Sequence, residues 1–378
     1  MPDSRPQTRV LWLIKGLGPG GAEGLLVAAA GAHDRDAYDI ETVYLLPWKD
    51  HLVARLETLG VPCTCLDVSS ERDLRWVLRL RRLLREGNFD IVHMHSPYAA
   101  AFARATSLTL PRRHRPKLIT TEHNPWTRYK RPTRLANAAT APLDSAVIAV
   151  SEEARQSLPP RQRTRARTLV HGVSVDDIGA LLAERDEARA ELGVDRSTVL
   201  VGTVANYHPK KDWPNLLRAA RRVAELAPSV RFCLVGQGPL EAEVHALHRE
   251  LGLEDVVTLT GYRADAVRLM AGCDIFVLGS RWEGLPVALM EACALHLPIV
   301  ATSVGGIPDY FTDGEDALLV PPGDPGALAD TIVRLAGDAE LRERLAEASA
   351  EHAKQFDIHV AVETIESIYA EVLANGHS

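Results

Sequence analysis

The sequence predicts two α/β domains, each built on a parallel sheet that helices cover. Five short β-rich runs alternate with helical stretches in the first half, and six more do so in the second half. Strands that alternate with helices indicate a parallel, doubly wound sheet. A chain of 378 residues is also too long for one typical core and suits two. We therefore expect two Rossmann-like domains.

The predicted strands are runs rich in β-branched and apolar residues. We expect a first domain over 1–172, a second over 173–356, and a final helix over 357–378 that packs back toward the first domain. Because ligands of doubly wound sheets bind beyond the carboxyl ends of the strands, the loops there should carry the chemistry. The runs are TRVLWLIK, YDIETVYLL, FDIVHMH, PKLITTEH and SAVIAVS, then STVLVGTVAN, VRFCLVG, DVVTLTG, CDIFVLGS, LPIVATS and DALLVPP, with helical segments over 214–227, 239–251 and 286–296.

The composition is that of a globular protein, with 46% hydrophobic and 25% charged residues, which excludes disordered and fibrous classes. No run reaches the roughly 18 apolar residues of a membrane span, and the N-terminus lacks the apolar core of a signal peptide. We expect a cytoplasmic protein. Five scattered cysteines fit reduced thiols. Cys63 and Cys65 lack a second ligand pair, so no metal site is predicted.

Positive charge is concentrated in the first domain. Residues 1–170 contain 26 Lys and Arg against 17 Asp and Glu, whereas the remainder contains 17 against 33. Segment 72–85 combines leucines and arginines in the pattern of a helix with a basic face. That face fits a solvated surface or a peripheral contact with anionic lipid at the inner membrane face, and both alternatives stay open. Nucleic-acid binding is not expected, because the basic segments lack stacking aromatic residues. The arginines are Arg72, Arg75, Arg79, Arg81, Arg82 and Arg85.

The loop after the first predicted strand, GLGPGG at 16–21, formally fits the G-x-G-x-x-G pattern of dinucleotide binders. Its glycines let backbone N–H groups and a helix N-terminus approach a phosphate. A nicotinamide enzyme also needs an acid at the end of the second strand, where this chain has LLPW. We therefore expect Gly20 and Gly21 to contact a phosphate or a sugar, the alternative being a tight turn without a ligand.

The segment SRWEGLPVALME at 280–291 places two glutamates eight positions apart across a predicted helix start. Pro286 suits the first helical turn, so Glu283 should lie in the loop and Glu291 on the helix. Carboxylates accept hydrogen bonds from neighbouring sugar hydroxyls, and N–H groups at the helix start can bind a phosphate. The pair points to a polyol ligand, although its spacing alone also fits a capping glutamate and a surface glutamate.

The segment 280–306 and ten others in this order resemble glycosyltransferase family 4, whose retaining enzymes have the GT-B fold and an E-x7-E motif. The resemblance implies that the two Rossmann-like domains face a central cleft, with the donor mainly in the second domain and the acceptor mainly in the first. It also implies retention of configuration without a metal or other cofactor. The other segments are GLGPGGAE, DIVHMHS, TEHN, SAVIAVSEEAR, HGVSVDDI, GTVANYHPKKD, LVGQGPL, LTGYRADAV, SVGGIPD and DGEDALLVPPGD.

The same resemblance implies roles for three catalytic or sugar-binding side chains. Glu291 holds the donor ribose, Glu283 lies by the transferred sugar, and His123 hydrogen-bonds a hydroxyl of that sugar. In the strand before it, we expect His93 and His95 to point to opposite faces, with His95 near the acceptor.

A departing nucleoside diphosphate gains negative charge, so the site needs a preorganised cation. Lys211 matches the family lysine. The family usually has an arginine five residues earlier, where this chain has Asn206. Either Lys210 or His208 supplies the second charge, or the phosphates bind with fewer charges.

The remaining residues implied by the resemblance line the donor and acceptor sites. We expect the nucleotide base to lie near the turn at 261–263. The predicted donor-binding residues are Gly20, Gly21, Asn206, Lys211, Gly236, Tyr262, Arg263, Glu283, Gly284, Leu285, Pro286 and Glu291, and the predicted acceptor residues are Glu23 and His95.

The predicted function is transfer of a sugar from a UDP- or GDP-linked donor to an acceptor, which is a glycan, a lipid-linked molecule or a small molecule. Two rival hypotheses are a non-transferase GT-B enzyme, such as a nucleotide-sugar epimerase, and a catalytically silent subunit that binds a nucleotide sugar. Release of free nucleoside diphosphate only when an acceptor is present distinguishes a transferase from both rivals.

Overall fold

A computed structural model of the chain describes residues 7–18, 20–69 and 73–375. The chain folds into two compact units. Unit 1 comprises the residues up to Gly172 together with those from Ile358 onward, and unit 2 comprises Val173–Asp357.

Unit 1 is built on a parallel sheet of seven strands. These are β1 (Thr8–Ile14), β2 (Tyr38–Tyr44), β3 (Cys63–Cys65), β4 (Ile91–Met94), β5 (Lys117–Glu122), β6 (Ala146–Ala149) and β7 (Ala166–Thr168). The spatial order is β3-β2-β1-β4-β5-β6-β7, and every neighbouring pair is parallel. The helices between them are α1 (Gly21–Ala32), α2 (Val53–Thr58), α3 (Arg75–Gly87), α4 (Pro97–Leu108), α5 (Arg131–Thr140), α6 (Glu152–Gln156) and α7 (Pro160–Arg163).

Unit 2 is built on a parallel sheet of six strands. These are β8 (Val199–Val204), β9 (Val230–Val235), β10 (Val257–Gly261), β11 (Ile275–Leu278), β12 (Ile299–Thr302) and β13 (Leu318–Val320), in the order β10-β9-β8-β11-β12-β13. Its helices are α8 (Val175–Ala180), α9 (Arg185–Glu191), α10 (Trp213–Leu226), α11 (Glu241–Glu250), α12 (Ala266–Ala271), α13 (Val287–Ala294), α14 (Ile307–Tyr310), α15 (Pro325–Gly337) and α16 (Ala339–Ala353).

In both sheets the strand order reverses once, between β1 and β4 in unit 1 and between β8 and β11 in unit 2. Loops that leave the two central strands at such a point diverge to opposite faces and open a crevice at the carboxyl edge. The fold therefore directs the loops after β1, β4, β8 and β11 to the places where ligands bind in this class of sheet.

The last helix, α17 (Ile358–Ala374), follows unit 2 in sequence but packs in unit 1. It packs against α1 and adds a row of buried apolar side chains to the core beneath β1 and β4. Its i, i+3, i+4 spacing of buried residues explains why one face of the helix is held in that core. The buried residues are Ile358, Ala361, Val362, Ile365, Ile368, Tyr369 and Val372.

The structure confirms the predicted fold class and contains all eleven strands predicted from the sequence. Two further strands, β3 and β7, were not predicted; they are three-residue strands at the two edges of the sheet of unit 1. Strands this short carry too few residues to show a period, which is why they were missed. Among the described residues, no helix has the length and apolar character to cross a membrane.

The basic segment is helical from Arg75 to Gly87, while Arg72 lies outside the described residues. Trp76, Leu80 and Leu84 form its buried face. Leu74 and Leu78, which the sequence pattern counted among the apolar positions, are 52% and 70% exposed. The helix therefore has leucines on its solvent face beside its arginines.

Candidate functional site

The loops at the carboxyl edge of the unit 2 sheet are joined to one another by backbone hydrogen bonds. Four backbone N–H···O=C bonds each join one loop to the next across the sheet. In spatial order they run from Gly236 to Gly261, from Tyr207 to Gln237, from Arg281 to Lys210 and from Gly306 to Gly284, with the donor named first. These bonds link the loops after β10, β9, β8, β11 and β12 in spatial order. The edge is therefore one connected surface on which distant sequence segments are held in fixed register.

A buried ion pair lies within this loop cluster. Lys211 Nζ is 2.5 Å from Glu283 Oε1, and the Ser280 hydroxyl donates to the same oxygen at 2.7 Å. Only 3% of the Glu283 side chain is exposed. Burial lowers the pKa of Lys211, whereas the Glu283 carboxylate acts in the opposite direction and favours the charged amine. The structure thus brings together two of the predicted catalytic residues, which lie 72 positions apart.

Glycine is required where the loop after β12 meets Glu283. Gly305 has φ of +56°, and a Cβ at this position would lie 1.9 Å from the carbonyl oxygen of Glu283. A side chain would therefore both strain the backbone and displace the loop that carries the glutamate. The close approach therefore restrains the backbone of Glu283.

Three polar residues that the sequence analysis did not select support the ion pair. Ser280 donates to Glu283, and its own carbonyl accepts a 2.6 Å bond from the Thr302 hydroxyl. Asp212, in a left-handed conformation with φ of +46°, accepts from Arg281 Nε at 2.8 Å. Ser280 and Asp212 lie close in sequence to Glu283 and Lys211, whereas Thr302 has no such sequence signal. The bonds of Thr302 and Asp212 connect segments that are distant in the chain.

Glu291 is the fifth residue of α13, whose N-terminus has no side-chain cap. Burial raises the pKa of Glu291 to about 7. Within the described ranges, its carboxyl group makes no hydrogen bond or ion pair. A sheltered carboxyl group without a partner can accept hydrogen bonds from an incoming ligand. The start of α13 follows Glu283 after Gly284, Leu285 and Pro286. In sequence, the uncapped N–H groups of the helix start therefore lie between the two glutamates.

The loop after β8 places a second cation near Glu283. Lys210 Nζ is 3.7 Å from Glu283 Oε2 and 5.7 Å from the centre of the Trp282 ring. His208 faces the same ring at 6.4 Å. Asn206 is exposed, and its carbonyl accepts a hydrogen bond from the Trp213 indole at 3.0 Å. Of the two alternatives for the missing arginine, Lys210 is the one that lies against the ion pair.

The predicted residues on the nucleotide side occupy the loops after β9 and β10. A Cβ at Gly236 would lie 2.1 Å from the Ala205 carbonyl, so this glycine allows its loop to meet the loop after β8. Tyr262 is 47% exposed. Arg263 is bound by two carboxylates, Asp265 at 2.8 Å and Glu191 at 2.6 Å. Its charge is thereby balanced by two carboxylates within the fold.

In unit 1, the glycine-rich loop leads into α1 at Gly21, with Gly20 as an N-cap that has no side-chain cap. The Glu23 carboxylate folds back over this loop, since a Cβ at Gly20 would lie 2.2 Å from Glu23 Oε2. Burial raises the pKa of Glu23. Pro19, in the middle of the predicted motif, lies outside the described residues.

Histidines converge at the carboxyl edge of the unit 1 sheet. His123 Nε2 is 3.4 Å from His95 Nδ1, and His123 stacks on His171 at 5.3 Å. The prediction that His93 and His95 point to opposite faces was wrong, because their ring centres are only 4.1 Å apart. Residues two apart on a strand share a face, and the sequence reasoning misapplied that period.

Burial keeps these histidines neutral. It lowers the pKa of His123 to about 3 and that of His171 to about 4, and it lowers the pKa values of His93 and His95 well below the usual range. Among the described residues, no group of His, Cys, Asp or Glu has the arrangement of a metal site. The histidines therefore present neutral hydrogen-bonding groups, which suit a sugar hydroxyl better than a phosphate.

Two sequence models of known families match the chain. The model described as "Glycosyltransferase Family 4" matches residues 19–177, and the model described as "Glycosyl transferases group 1" matches residues 184–352. Each match corresponds closely to one of the two structural units and contains most or all of its sheet.

Named relatives and a solved structure agree with these matches. An alpha-D-kanosaminyltransferase of Streptomyces kanamyceticus is 28% identical over 79% of this chain and 82% of its own length. A UDP-Gal:alpha-D-GlcNAc-diphosphoundecaprenol alpha-1,3-galactosyltransferase of Escherichia coli is 23% identical over 87% of both. The crystal structure of Anabaena HepE in complex with UDP and glucose matches with a TM-score of 0.83, at 23% identity, over 97% of this chain and 100% of HepE.

The two family matches, the relatives and the two parallel sheets agree with the resemblance of the sequence motifs. The chain is a glycosyltransferase with the GT-B fold and is similar to glycosyltransferase family 4.

Proposed function

We propose that the protein transfers a sugar from a nucleoside diphosphate sugar bound at the carboxyl edge of unit 2 to an acceptor bound by unit 1. The observation that carries this proposal is the buried Lys211–Glu283 pair, whose glutamate lies just before the helix that carries Glu291; the carboxyl group of Glu291 has no partner among the described residues. A cation and two carboxyl groups around an uncapped helix start match the chemistry of a ligand that has a diphosphate and two sets of hydroxyls.

Lys211 binds the diphosphate in this proposal, and the N-terminus of α13 adds N–H donors. When the bond from the anomeric carbon to the phosphate oxygen breaks, negative charge grows on the diphosphate, and a preorganised cation stabilises it. Lys210 supplies the second positive charge in place of the arginine that Asn206 replaces, because its amine already lies 3.7 Å from Glu283 Oε2. With these cations, the reaction proceeds without a metal ion.

Glu283 then exchanges part of its contact with Lys211 for hydroxyls of the transferred sugar, and Glu291 accepts hydrogen bonds from the ribose. Glu283 belongs to unit 2, whereas His123 belongs to unit 1. UDP is the nucleotide to test first, since a related galactosyltransferase is named for a UDP sugar and the HepE crystals contained UDP.

The acceptor hydroxyl attacks on the face from which the diphosphate departs, so the configuration of the sugar is retained. The new bond joins the acceptor oxygen to the anomeric carbon, and the acceptor proton passes to a phosphate oxygen of the leaving group. This mechanism follows the family resemblance. Named relatives are glycosyltransferases, which favours transfer over an epimerase or a silent subunit.

The acceptor site of the proposal includes Glu23 and His95 of unit 1. The acceptor is a glycan, a lipid-linked molecule or a small molecule, and the neutral histidines at this edge favour contact with its hydroxyls.

We also propose that the protein is cytoplasmic and that unit 1 binds peripherally to anionic membrane lipid. Helix α3 packs on α4, and α4 packs on α5. This layer exposes leucines on all three helices together with many cations, an arrangement typical of surfaces that lie in a lipid headgroup region. Glu86 is the ion-pair partner of both Arg82 and Arg85, which leaves excess positive charge on α3. The exposed leucines are Leu74, Leu78, Leu108 and Leu135, and the exposed cations include Arg75, Arg82, Arg85, Lys130, Arg131 and Arg134.

The first prediction concerns catalysis. UDP should be released from UDP-glucose or another UDP sugar only when an acceptor is added, and Lys211→Ala should slow this release by about 100-fold or more. Lys210→Ala should slow it less, because Lys210 lies farther from Glu283. Lys354→Ala, which removes an exposed lysine of unit 2, is the matched control and should leave the rate unchanged. Undiminished transfer by Lys211→Ala would contradict the assigned role.

The second prediction concerns Glu291 and pH. Its pKa of about 7 in the folded protein exceeds the value of about 4.3 for an unfolded chain. Glu291 therefore costs stability as pH rises through this window. Glu291→Gln should have a free energy of unfolding about 3 kcal/mol higher than wild type at pH 8 and no higher at pH 4. UDP binding should show the opposite order at pH 8, because the carboxylate accepts from ribose and the amide is the weaker acceptor.

These two effects are measured by urea unfolding and by the thermal shift with UDP at each pH. Glu243→Gln, an exposed glutamate of α11, is the control for a loss of negative charge in unit 2. A UDP shift that is the same in Glu291→Gln and wild type would show that Glu291 does not hold the nucleotide.

The third prediction concerns lipid. The protein should sediment with phosphatidylglycerol vesicles at low ionic strength and lose this association as salt is added, since exposed charges are screened. The double variant Arg82→Glu/Arg85→Glu should abolish binding. The control Arg221→Glu/Arg222→Glu makes the same charge change on α10 and should still bind. Binding that persists in high salt, or equal loss in both double variants, would refute contact through α3.

A further inference from the structure

Tyr369 of α17 lies wholly buried in unit 1, between two residues of the central strands. Its hydroxyl accepts a hydrogen bond from the Trp12 indole at 3.2 Å and is 2.7 Å from His93 Nδ1. The other ring nitrogen, His93 Nε2, is 2.7 Å from the Thr121 hydroxyl. A residue from the last helix of the chain thus contacts the strand that leads into the histidine cluster.

These contacts determine which nitrogen of His93 carries the proton. The indole N–H can only donate, so the Tyr369 oxygen accepts from Trp12. The single phenol proton is buried, and His93 Nδ1 is the acceptor within reach; leaving that proton unbonded would cost the full desolvation of a donor. His93 Nδ1 is therefore unprotonated, and its Nε2–H donates to Thr121.

His93 in turn supports the other histidines. Its ring lies against His95, with centres 4.1 Å apart, and His95 Nδ1 meets His123 Nε2 at 3.4 Å. His123 stacks on His171 with planes only 18° apart. A small cavity is lined by these histidines together with residues of α1 and α17. The rings thus form a contiguous row that begins at Tyr369.

The row consists of neutral rings, each with one donor and one acceptor nitrogen. Both ring nitrogens of His93 are engaged by Tyr369 and Thr121, so His93 constrains the orientation of His95 through ring contact. His95 and His123 meet through ring nitrogens and constrain each other directly.

Glu366, one turn before Tyr369, bonds His33 Nδ1 at 2.8 Å, and its carbonyl accepts from Tyr38 at 3.2 Å. Hydrogen bonds therefore hold α17 at Glu366 and again at Tyr369. Of these two residues, Tyr369 is the one that contacts the row of histidines.

We propose that Tyr369 is a positioning residue for His123: through its hydroxyl it fixes the tautomer and orientation of His93, and through His93 and His95 it aligns His123 for the transferred sugar. This inference rests on the proposed role of His123 in sugar transfer. The final helix thus contributes to the reaction from the interior of unit 1 without touching a substrate.

The test is Tyr369→Phe, which keeps the ring and removes the hydroxyl. The turnover number for sugar transfer should fall about 5- to 20-fold while the KM for the donor stays within about twofold, since the change acts on alignment and not on donor binding. Tyr38→Phe is the matched control, because its hydroxyl bonds α17 through the Glu366 carbonyl and not the histidine row. It should leave the turnover number unchanged.

A second readout does not depend on activity. With histidine labelled with ¹⁵N and the His93 signals identified from His93→Gln, wild type should show an unprotonated Nδ1 and a protonated Nε2. In Tyr369→Phe, both signals should move toward the averaged position of mixed tautomers. Thr121→Val acts on the opposite nitrogen of the same ring and should also disturb these signals, so it serves as the test if Tyr369→Phe fails to fold.

The outcomes separate this inference from the proposed function. If His123→Ala loses transfer while Tyr369→Phe matches Tyr38→Phe in rate and in His93 signals, the positioning role is overturned and the function stands. A proton on His93 Nδ1 in wild type would also overturn it. If His123→Ala transfers at the wild-type rate, His123 has no role in transfer, and the positioning role is overturned even where the His93 signals follow Tyr369.

Discussion

The buried ion pair between Lys211 and Glu283 is the interaction on which the site of unit 2 depends. Two charges removed from water are stable only when their geometry and hydrogen bonds are satisfied. Here the Ser280 hydroxyl donates a hydrogen bond to the Glu283 carboxylate, and Gly305 allows the loop after β12 to pack against the backbone of Glu283. Backbone hydrogen bonds also connect the loops across the sheet. A change in any of these loops would disturb the charges that we propose to contact the donor.

Unit 1 has the same type of sheet but places neutral groups at its carboxyl edge, where unit 2 has an ion pair. Its carboxyl edge holds neutral, buried histidines, and the polar groups that orient them come from strands and from α17. Charged groups in unit 2 and neutral hydrogen-bonding groups in unit 1 fit a division in which one unit binds a diphosphate and the other binds hydroxyl-rich partners. Returning the end of the chain to unit 1 is what makes this arrangement possible, because Tyr369 enters the core beside His93.

Much of the fold could be predicted from the sequence because long apolar runs alternate with amphipathic helices, and this pattern is local. The three-residue edge strands and the exposed positions of Leu74 and Leu78 could not, since they depend on which neighbours cover each face. In the site, the family resemblance selected Glu283, Glu291 and Lys211, and the structure places Lys211 and Glu283 in contact. The contacts of Asp212 and Tyr369 join residues from different segments, so only the folded chain could reveal them.

A crystal structure of the protein with bound UDP tests the central claim most directly. The account predicts density for the diphosphate against Lys211 Nζ and the N-terminus of α13, ribose hydroxyls within hydrogen-bonding distance of the Glu291 carboxylate, and a lengthened contact between Lys211 and Glu283. UDP bound elsewhere, with Glu291 unpartnered and the Lys211–Glu283 contact still at 2.5 Å, would contradict it.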